Sequence, residues 1–376
     1  MISELSKICF YRNERIATNA LNNRTYVSTE NMLPDKGGIT YASSLPTVSQ
    51  TPKFKRGDTL VSNIRPYFKK IWFAEYDGGC SNDVLVFSAK DDVDPKFLYY
   101  VLANDSFFAY STATSKGTKM PRGDKNSIMQ YQIEMVDLPT QKKIASILSE
   151  LDEKIEKNTK INDNLQQQAA TIFSAWLNNC SESVTIGDLS NNVLDYSPLN
   201  KDMVRLLNSS DVSEGVFPVS PLVPNKDLKG HFKKRFKCGD ILYSEIRPRN
   251  HHYGLVLFDS SDYIASTRLM VIRAKENKIT PAMLYQYLLL PEVEAVFTLK
   301  TESRSGTFPQ GNYVDMATIV VPYSSLESQT EIAVTLSKIR NIIAYNQLEN
   351  QRLAELRDAL LPKLMSGEID VSDIQL

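Results

Sequence analysis

The sequence of 376 residues has no run of eighteen apolar residues, only three histidines and only four cysteines. A membrane-spanning helix needs about 20 consecutive apolar residues, so we expect none. Cys9, Cys80, Cys180 and Cys238 lie far apart without a CxxC pair, which argues against a disulfide framework or a zinc site. No basic segment followed by an apolar stretch opens the sequence, so no signal peptide is visible and a cytoplasmic location is expected.

Catalytic motifs are also absent from the sequence. It has no GxxxxGK, no GxGxxG and no HExxH, and it lacks the Asn/Asp-Pro-Pro-aromatic signature of an amino-methyltransferase. The three histidines fall within 231–252, so they assemble no convincing acid–base triad. These absences favour a binding protein. An autonomous modification enzyme is an alternative, but it would need a motif that the sequence does not contain.

The sequence does contain the same pattern twice. The segment FKRGDTL at 54–60 is echoed by FKCGDIL at 236–242, and both continue into an Ile-Arg-Pro triplet, at 64–66 and 246–248. The offset is 182 residues for these motifs and 188 residues for the glutamines that open two later helical segments, Gln141 and Gln329. A repeat of this length indicates a duplicated domain followed by a helix.

Composition divides each repeat into a globular part and a helix. Short alternating apolar runs bounded by turn residues predict an α+β fold for two domains, at 1–138 and 181–325. Residues 139–180 and 326–376 are predicted to form two helical spacers, because apolar residues recur there at steps of four and three. We therefore expect two globular domains separated by an antiparallel intramolecular coiled coil, with pseudo-two-fold internal symmetry.

Both helices carry asparagine at the same two central positions of the apolar seam. In an antiparallel pair, Asn158 and Asn162 would meet Asn350 and Asn346, and such polar seam residues fix the register of a coiled coil. The alternative is that all four are surface residues. Arg357 interrupts the second seam where the first helix has Ala169, which indicates either a docking position for a partner or fraying of the helix pair.

Charge is balanced overall but clustered locally. The formal net charge of −1 counts against a nucleic-acid partner. However, residues 53–70 contain six basic side chains and one acidic one, and residues 226–249 contain eight and three. Equivalent places in both repeats are thus basic, as contacts to DNA phosphates require. A solvated charged face is the alternative.

Two loops in each repeat are candidate binding segments. Gly57-Asp58 and Gly239-Asp240 are expected to form tight turns, whereas Arg65 and Arg247, each before a proline, are candidates for DNA contact or for a structural ion pair. Exposed loops rich in donors follow at 115–123 and 303–311. The candidate DNA-binding residues are Lys55, Arg65, Lys69, Lys70, Lys116, Thr118, Lys119, Arg122, Lys233, Lys234, Arg247, Arg249, His251, Arg304, Thr307 and Gln310.

This arrangement resembles the specificity (S) subunit of type I restriction-modification systems. The residues that carry the resemblance are the helical segments 138–145 (LPTQKKIA) and 353–369 (LAELRDALLPKLMSGEI). The resemblance covers essentially the whole chain. It implies two target recognition domains that each read one half of an asymmetric bipartite target in double-stranded DNA, while the helix pair sets the length of the spacer.

The resemblance also implies partners. Two methylation (M) subunits would dock on the helices, and restriction (R) subunits would join the complex. The chain itself would be non-catalytic and bind no cofactor or metal, since S-adenosylmethionine and ATP with Mg²⁺ would bind to those partners. The alternative is an orphan or phase-variable recognition scaffold whose own affinity for DNA is negligible.

Overall fold

The computed structural model describes residues 2–302, 310–371 and 374. It divides into two compact units, of which the first combines Met1–Lys154 with Leu353–Leu376 and the second is Ile155–Arg352. Each unit contains one globular α+β domain together with segments of two 40-residue helices. No helix in the described part of the chain is both long enough and apolar enough to cross a membrane.

The first domain precedes the first long helix. Its strands are β1 (Ile2–Glu4), β2 (Cys9–Tyr11), β3 (Arg15–Ala17), β4 (Tyr26–Val27), β5 (Gln50–Phe54), β6 (Thr59–Ser62), β7 (Ile71–Phe73), β8 (Gly78–Cys80), β9 (Val84–Ala89) and β10 (Gln132–Glu134). Its helices are α1 (Pro95–Ala103), α2 (Asp105–Ala113) and α3 (Lys125–Ile128), and the long helix α4 (Leu138–Leu177) follows.

The second domain lies between the two long helices. Its helices are α5 (Ile186–Leu189), α6 (Pro281–Leu288), α7 (Pro291–Glu302) and α8 (Tyr313–Ala317), and the long helix α9 (Leu326–Met365) follows. Its strands are β11 (Glu182–Thr185), β12 (Ser190–Asn192), β13 (Met203–Leu207), β14 (Leu222–Pro224), β15 (Phe232–Lys234), β16 (Ile241–Ser244), β17 (Tyr253–Leu255), β18 (Tyr263–Ser266), β19 (Leu269–Ala274) and β20 (Val320–Tyr323).

Each domain has two four-stranded sheets, of which one has the same strand order in both domains and the other does not. An antiparallel sheet has the order β2-β9-β6-β7 in the first domain and the equivalent order β12-β19-β16-β17 in the second. The other four-stranded sheets, β3-β5-β8-β4 and β14-β13-β18-β15, each contain one parallel pair. These sheets differ in the strand added at one edge. The first domain adds β3, which pairs with β5, whereas the second domain adds β14, which pairs with β13. The duplicated domain has therefore kept one sheet and diverged at an edge of the other.

A buried glutamine near the start of each long helix attaches it to the preceding domain. The Gln141 side chain donates to the carbonyl of Val136 (2.9 Å) and accepts from the backbone of Asp94 (2.9 Å). Gln329 donates to the carbonyls of Ser324 (2.9 Å) and Lys278 (3.2 Å). Since both glutamines are almost fully buried, these bonds fix where each helix leaves its domain.

The long helices pack on each other inside each unit. In the first unit, Ile144 and Leu148 of α4 share a hydrophobic cluster with Leu361 and Leu364 of α9. In the second unit, a cluster contains Ala169 and Phe173 of α4 with seam residues of α9, namely Ile332, Leu336, Ile339 and Ile343. The predicted α+β fold with two domains and a pair of long helices is confirmed.

The central asparagines of the second unit meet across the two helices. Asn158 donates to Asn350 (2.9 Å), and Asn346 donates to Asn162 (2.8 Å). Residue numbers rise along α4 as they fall along α9, so this part of the pair is antiparallel. Asn158, Asn162 and Asn346 are buried, which makes the hydrogen bonds necessary rather than incidental.

We predict that replacing one asparagine of a facing pair lowers the stability of the protein, whereas replacing both members of the pair does not. Asn162→Leu leaves the amide of Asn346 buried without its acceptor, so the free energy of unfolding should fall by about 1–3 kcal/mol in urea titrations. Replacing Asn162 and Asn346 together by leucine should restore wild-type stability or exceed it. Asn164→Leu, at an exposed position of the same helix, is the control. A single variant as stable as the wild type would contradict the prediction.

Arg357 lies in an ion pair and neither protrudes nor frays the helix. Its Nη1 donates to Asp152 of α4 (2.7 Å), and its Nε and Nη2 donate to Asp358. The other oxygen of Asp152 accepts from the hydroxyl of Tyr100 (2.7 Å) in the first domain. The break in the apolar seam is thus explained by a charged partner next to the seam on the facing helix.

Candidate nucleic-acid interface

The Ile-Arg-Pro triplets shape the same loop in both domains. Each follows the central strand β6 or β16 and opens a short 3-10 helix, Pro66–Phe68 or Pro248–Asn250. The arginines, Arg65 and Arg247, have left-handed φ angles of 51° and 47°. The residues that end the short helices are also left-handed, at φ 50° and 54°. Non-glycine residues adopt this conformation only when surrounding bonds require it, so these loops have a fixed shape.

The second candidate loop joins the first in each domain. In the first domain, the backbone of Arg65 donates to Pro121 (2.8 Å), and Ile64 forms an isolated β-bridge with Arg122. In the second, Ile246 forms a bridge with Gln310. The structure thus places the 115–123 segment beside the first Ile-Arg-Pro loop, and Gln310, in the described part of the 303–311 segment, beside the second. The candidates Arg304 and Thr307 lie outside the described residues.

Most basic candidates of the first domain have a partner within the domain. Lys55 pairs with Glu14 (2.8 Å), Lys69 with Asp105 (2.9 Å), Arg122 with Asp83 (3.0 Å), and Lys116 with Asp124. The bond from Lys116 and those from Ser127 lower the pKa of Asp124 to about 2. The loop surface is therefore less positive than the clustering of basic residues indicates.

The other candidates of the first domain have no acidic partner among the contacts described above. Lys70 donates to the carbonyl of Thr29 (2.7 Å), while Thr118 and Lys119 are exposed.

The basic candidates of the second domain differ in accessibility. Lys233 and Arg247 are exposed, as is Arg249, which pairs with Glu302 (3.1 Å). Gln310 is exposed and donates to Glu245 (3.3 Å). These side chains remain at the surface, where DNA would reach them.

The structure corrects the prediction for Lys234. This residue is buried, donates to the carbonyl of Leu269 (2.7 Å) and lies 3.6 Å from Glu245. Burial lowers the pKa of Lys234. Its neighbour Lys233 points to the other face of strand β15, since side chains alternate along a strand. Of this pair, Lys233 is the lysine whose side chain is exposed.

His251 is held between two carboxylates. Its Nδ1 lies 3.0 Å from Glu214, and its Nε2 lies 2.9 Å from Glu294. The hydrogen bond with Glu214, together with the charge of Glu294, raises the pKa of His251. The ring nitrogens are both engaged, so His251 positions the loop rather than offering a free donor to DNA. Among the described residues, no group of three or more histidine, cysteine or acidic side chains could hold a metal ion.

The Gly-Asp turns carry a buried ion pair that the sequence did not reveal. Asp58 accepts from Arg12, at 2.6 Å and 2.9 Å, and from the backbone of Lys55. Asp240 accepts from Arg273, at 2.6 Å and 2.8 Å. The arginine comes from a different place in each domain, so the repeat contains no common signal for it.

The family model for the type I restriction modification DNA specificity domain matches residues 2–167 and 216–357. The chain belongs to this family. Each match covers one globular domain, in whole or in large part, and a large part of the long helix that follows it.

Relatives of this specificity-domain protein include two curated proteins. The HindI specificity subunit of Haemophilus influenzae is 35% identical over 177 residues, which is 47% of this chain and 39% of that relative's length. The MjaIX specificity subunit of Methanocaldococcus jannaschii is 22% identical over 315 residues, which is 76% of this chain and 71% of the relative. Both relatives are named as subunits of type I restriction enzymes.

A solved structure supports the fold of the specificity-domain protein over nearly its whole length. The type I restriction-modification S subunit from M. genitalium has a TM-score of 0.60 at 16% identity, covering 97% of this chain and 96% of that one. At this identity the likeness concerns the fold alone. It includes both duplicated domains and the helices between and after them.

Proposed function

We propose that this chain is the DNA-recognition subunit of a type I restriction-modification complex, in which each domain reads one half of an asymmetric bipartite target. The observation that carries the proposal is the Ile-Arg-Pro loop, which has the same shape in both domains of a specificity-domain protein. Fixed loops on a rigid sheet position donors for base edges better than mobile ones do, and nearby basic groups supply the phosphate contacts.

The helix pair has two roles in this proposal. It sets the length of the unread spacer, and it docks two methylation subunits. Docking is supported by large apolar side chains that are exposed on the long helices, namely Ile161, Val334, Ile342, Tyr345 and Leu356. Four of these five lie on α9, and a contiguous exposed apolar patch is typical of a surface that a partner covers.

The chemistry of the complex is assigned to the partners. S-adenosylmethionine would bind to the methylation subunits, and ATP with Mg²⁺ would bind to the restriction subunits. This chain would supply recognition without catalysis, in the cytoplasm where the DNA is. The specificity subunits named among its relatives support this division of roles.

A recognition scaffold with negligible DNA affinity of its own is the second candidate. It is favoured by the acidic partners of Lys55, Lys69, Lys116 and Arg122, which offset positive charge on the first domain. Binding of the full chain to random-sequence DNA, alone and with methylation subunits, separates the two. Recognition predicts a selected sequence and an affinity that falls with salt, with a slope of about −0.9 per phosphate contact. A flat response in both cases, with no selected sequence, would reject DNA recognition.

Arg247→Ala is expected to weaken binding to the specific target by about 1–3 kcal/mol, because we propose that this exposed arginine contacts a base edge. Competition titrations with target and random duplexes measure the change. Lys160→Ala is the matched control, since it removes one positive charge from an exposed helical position that pairs with Glu156. Equal losses on target and random DNA would show that Arg247 contacts phosphate only.

A further inference from the structure

The corresponding loops of the two domains present different chemistry at their tips. In the first domain, the short helix exposes Tyr67 and Phe68, with 49% and 40% of their surfaces accessible. Their ring centroids lie 4.8 Å apart. In the second domain, the equivalent positions are the exposed polar residues Arg249 and Asn250. Two adjacent exposed aromatic rings at the tip of a candidate DNA-binding loop call for a functional explanation.

The aromatic tip cannot fold back onto the domain. The backbone of Asp35 donates to Phe68 (2.9 Å), and that of Lys36 donates to Lys69 (2.9 Å). The ammonium groups of Lys36 and Lys69 both pair with Asp105, at 3.0 Å and 2.9 Å. Asp35, Lys36 and Lys69 are all left-handed. The surrounding hydrogen bonds and ion pairs hold these left-handed residues in place, and Tyr67 and Phe68 are exposed in that conformation.

The surroundings of the tip fit a nucleic acid. Through its bond to Pro121, Arg65 connects the tip to the loop that exposes Met120, Lys119 and Arg122. Apolar side chains inserted between base pairs unstack them, while basic side chains at the rim contact the flanking phosphates. A protein partner is the alternative occupant of such a patch, and the experiment below includes it as an outcome.

We propose that Tyr67 and Phe68 form a wedge that unstacks one base step in the half-site read by the first domain. This inference rests on the proposed DNA-recognition function. The wedge selects a flexible step, such as pyrimidine–purine, because the sequence determines the cost of deformation. The second domain, with Arg249 and Asn250 at the same place, reads its half-site without unstacking. The two halves of the target therefore differ in the way they are recognised as well as in sequence.

The test uses the full chain with its methylation subunits on a duplex carrying the target mapped by methylation sequencing. Permanganate reactivity reports unstacked thymines, and 2-aminopurine fluorescence reports unstacked purine positions. Because DNA methyltransferases flip their target base out of the stack, the wedge is read at a step away from the methylated bases. In the wild-type complex, both signals should rise at one such step, in one half-site only. In Tyr67→Ala/Phe68→Ala they should return to the level of free DNA, and affinity for the target should fall about tenfold to a hundredfold. Phe68→Leu, which keeps an apolar tip, should retain part of the signal.

The control is Tyr196→Ala, which removes an exposed aromatic ring of the second domain outside the candidate loops and should leave the unstacking signal unchanged. The melting temperature of each variant checks the fold. Specific binding by the wild type without an unstacked step would overturn the wedge but not the recognition function. An unchanged unstacking signal in Tyr67→Ala/Phe68→Ala would also overturn the wedge. If the purified Tyr67→Ala/Phe68→Ala complex lacks its methylation subunits, the aromatic tip docks a protein and does not unstack DNA. Absence of any sequence-selective binding would reject both proposals.

Discussion

Replacing Asp58 by alanine is expected to lower the free energy of unfolding of the first domain by about 3–5 kcal/mol. The carboxylate is buried, and it accepts two bonds from Arg12 and one each from Ser88 (2.7 Å) and the backbone of Lys55 (2.7 Å). Its removal leaves a largely buried guanidinium without its main charged partner. Breaking a buried pair in this way is far more costly than replacing both members.

Urea unfolding monitored by the fluorescence of Trp72 measures this loss. The sequence has two tryptophans, so a Trp176→Phe background isolates the one in the first domain. Asp58→Ala/Arg12→Met should be less destabilised than Asp58→Ala alone, since it removes both charges. Asp240→Ala should lose less stability, because Arg273 is more exposed than Arg12. Equal stability of Asp58→Ala and the wild type would show that the ion pair is compensated by hydration.

The periodic features of the chain could be predicted from the sequence. The repeat offset gave the two domains, and the apolar seams gave the two long helices, because a buried helix face imposes its own period on the residues. The same period identifies the facing asparagines, Asn158 with Asn350 and Asn162 with Asn346. These inferences need only local spacing and the assumption of an antiparallel pair.

The candidate DNA interface was harder to predict because charge partners come from distant parts of the chain. Lys69 pairs with Asp105, and Arg122 pairs with Asp83, and neither acidic residue belongs to the clusters counted in the sequence. Lys234 was misassigned for a different reason. Its position two residues after buried Phe232 on a strand places it on the inner face, a signal that the local charge count ignored.

The aromatic tip was missed because it has no counterpart in the other repeat. An internal repeat reveals the residues that its two halves share, such as Ile-Arg-Pro. Tyr67 and Phe68 occupy the positions at which the second repeat has Arg249 and Asn250. Comparison of the repeats therefore does not identify them as a motif. Specificity in a duplicated reader depends on the differences between its halves, and those differences become interpretable once the loops are placed.

Inserting four residues into each long helix is expected to abolish recognition of the original target. The insertions would lie between Asn158 and Asn162 in α4 and between Asn346 and Asn350 in α9, so that both asparagine pairs are kept. Four helical residues add about 6 Å of rise and about 40° of rotation. One base pair of DNA adds about 3.4 Å, with about 10 base pairs per turn.

The inserted chain should therefore recognise the same half-sites with a spacer longer by one or two base pairs. On the original target only one half-site can be contacted at a time, which should reduce specific affinity by about a thousandfold or more, to near the non-specific level. Methylation mapping with the partner subunits reports both half-sites and the spacer in one measurement. It also detects a change in half-site sequence, which the insertion should not cause.

Insertion into α4 alone is the control for a general loss of structure. It moves Asn162 out of register with Asn346 and buries unpaired amides, so the helix pair should lose stability and no new spacer should be selected. If the matched double insertion still recognises the original spacer, the helix pair does not set the spacing. If it recognises a longer spacer with unchanged half-sites, the distance along the DNA is encoded in the number of helical residues between the two domains.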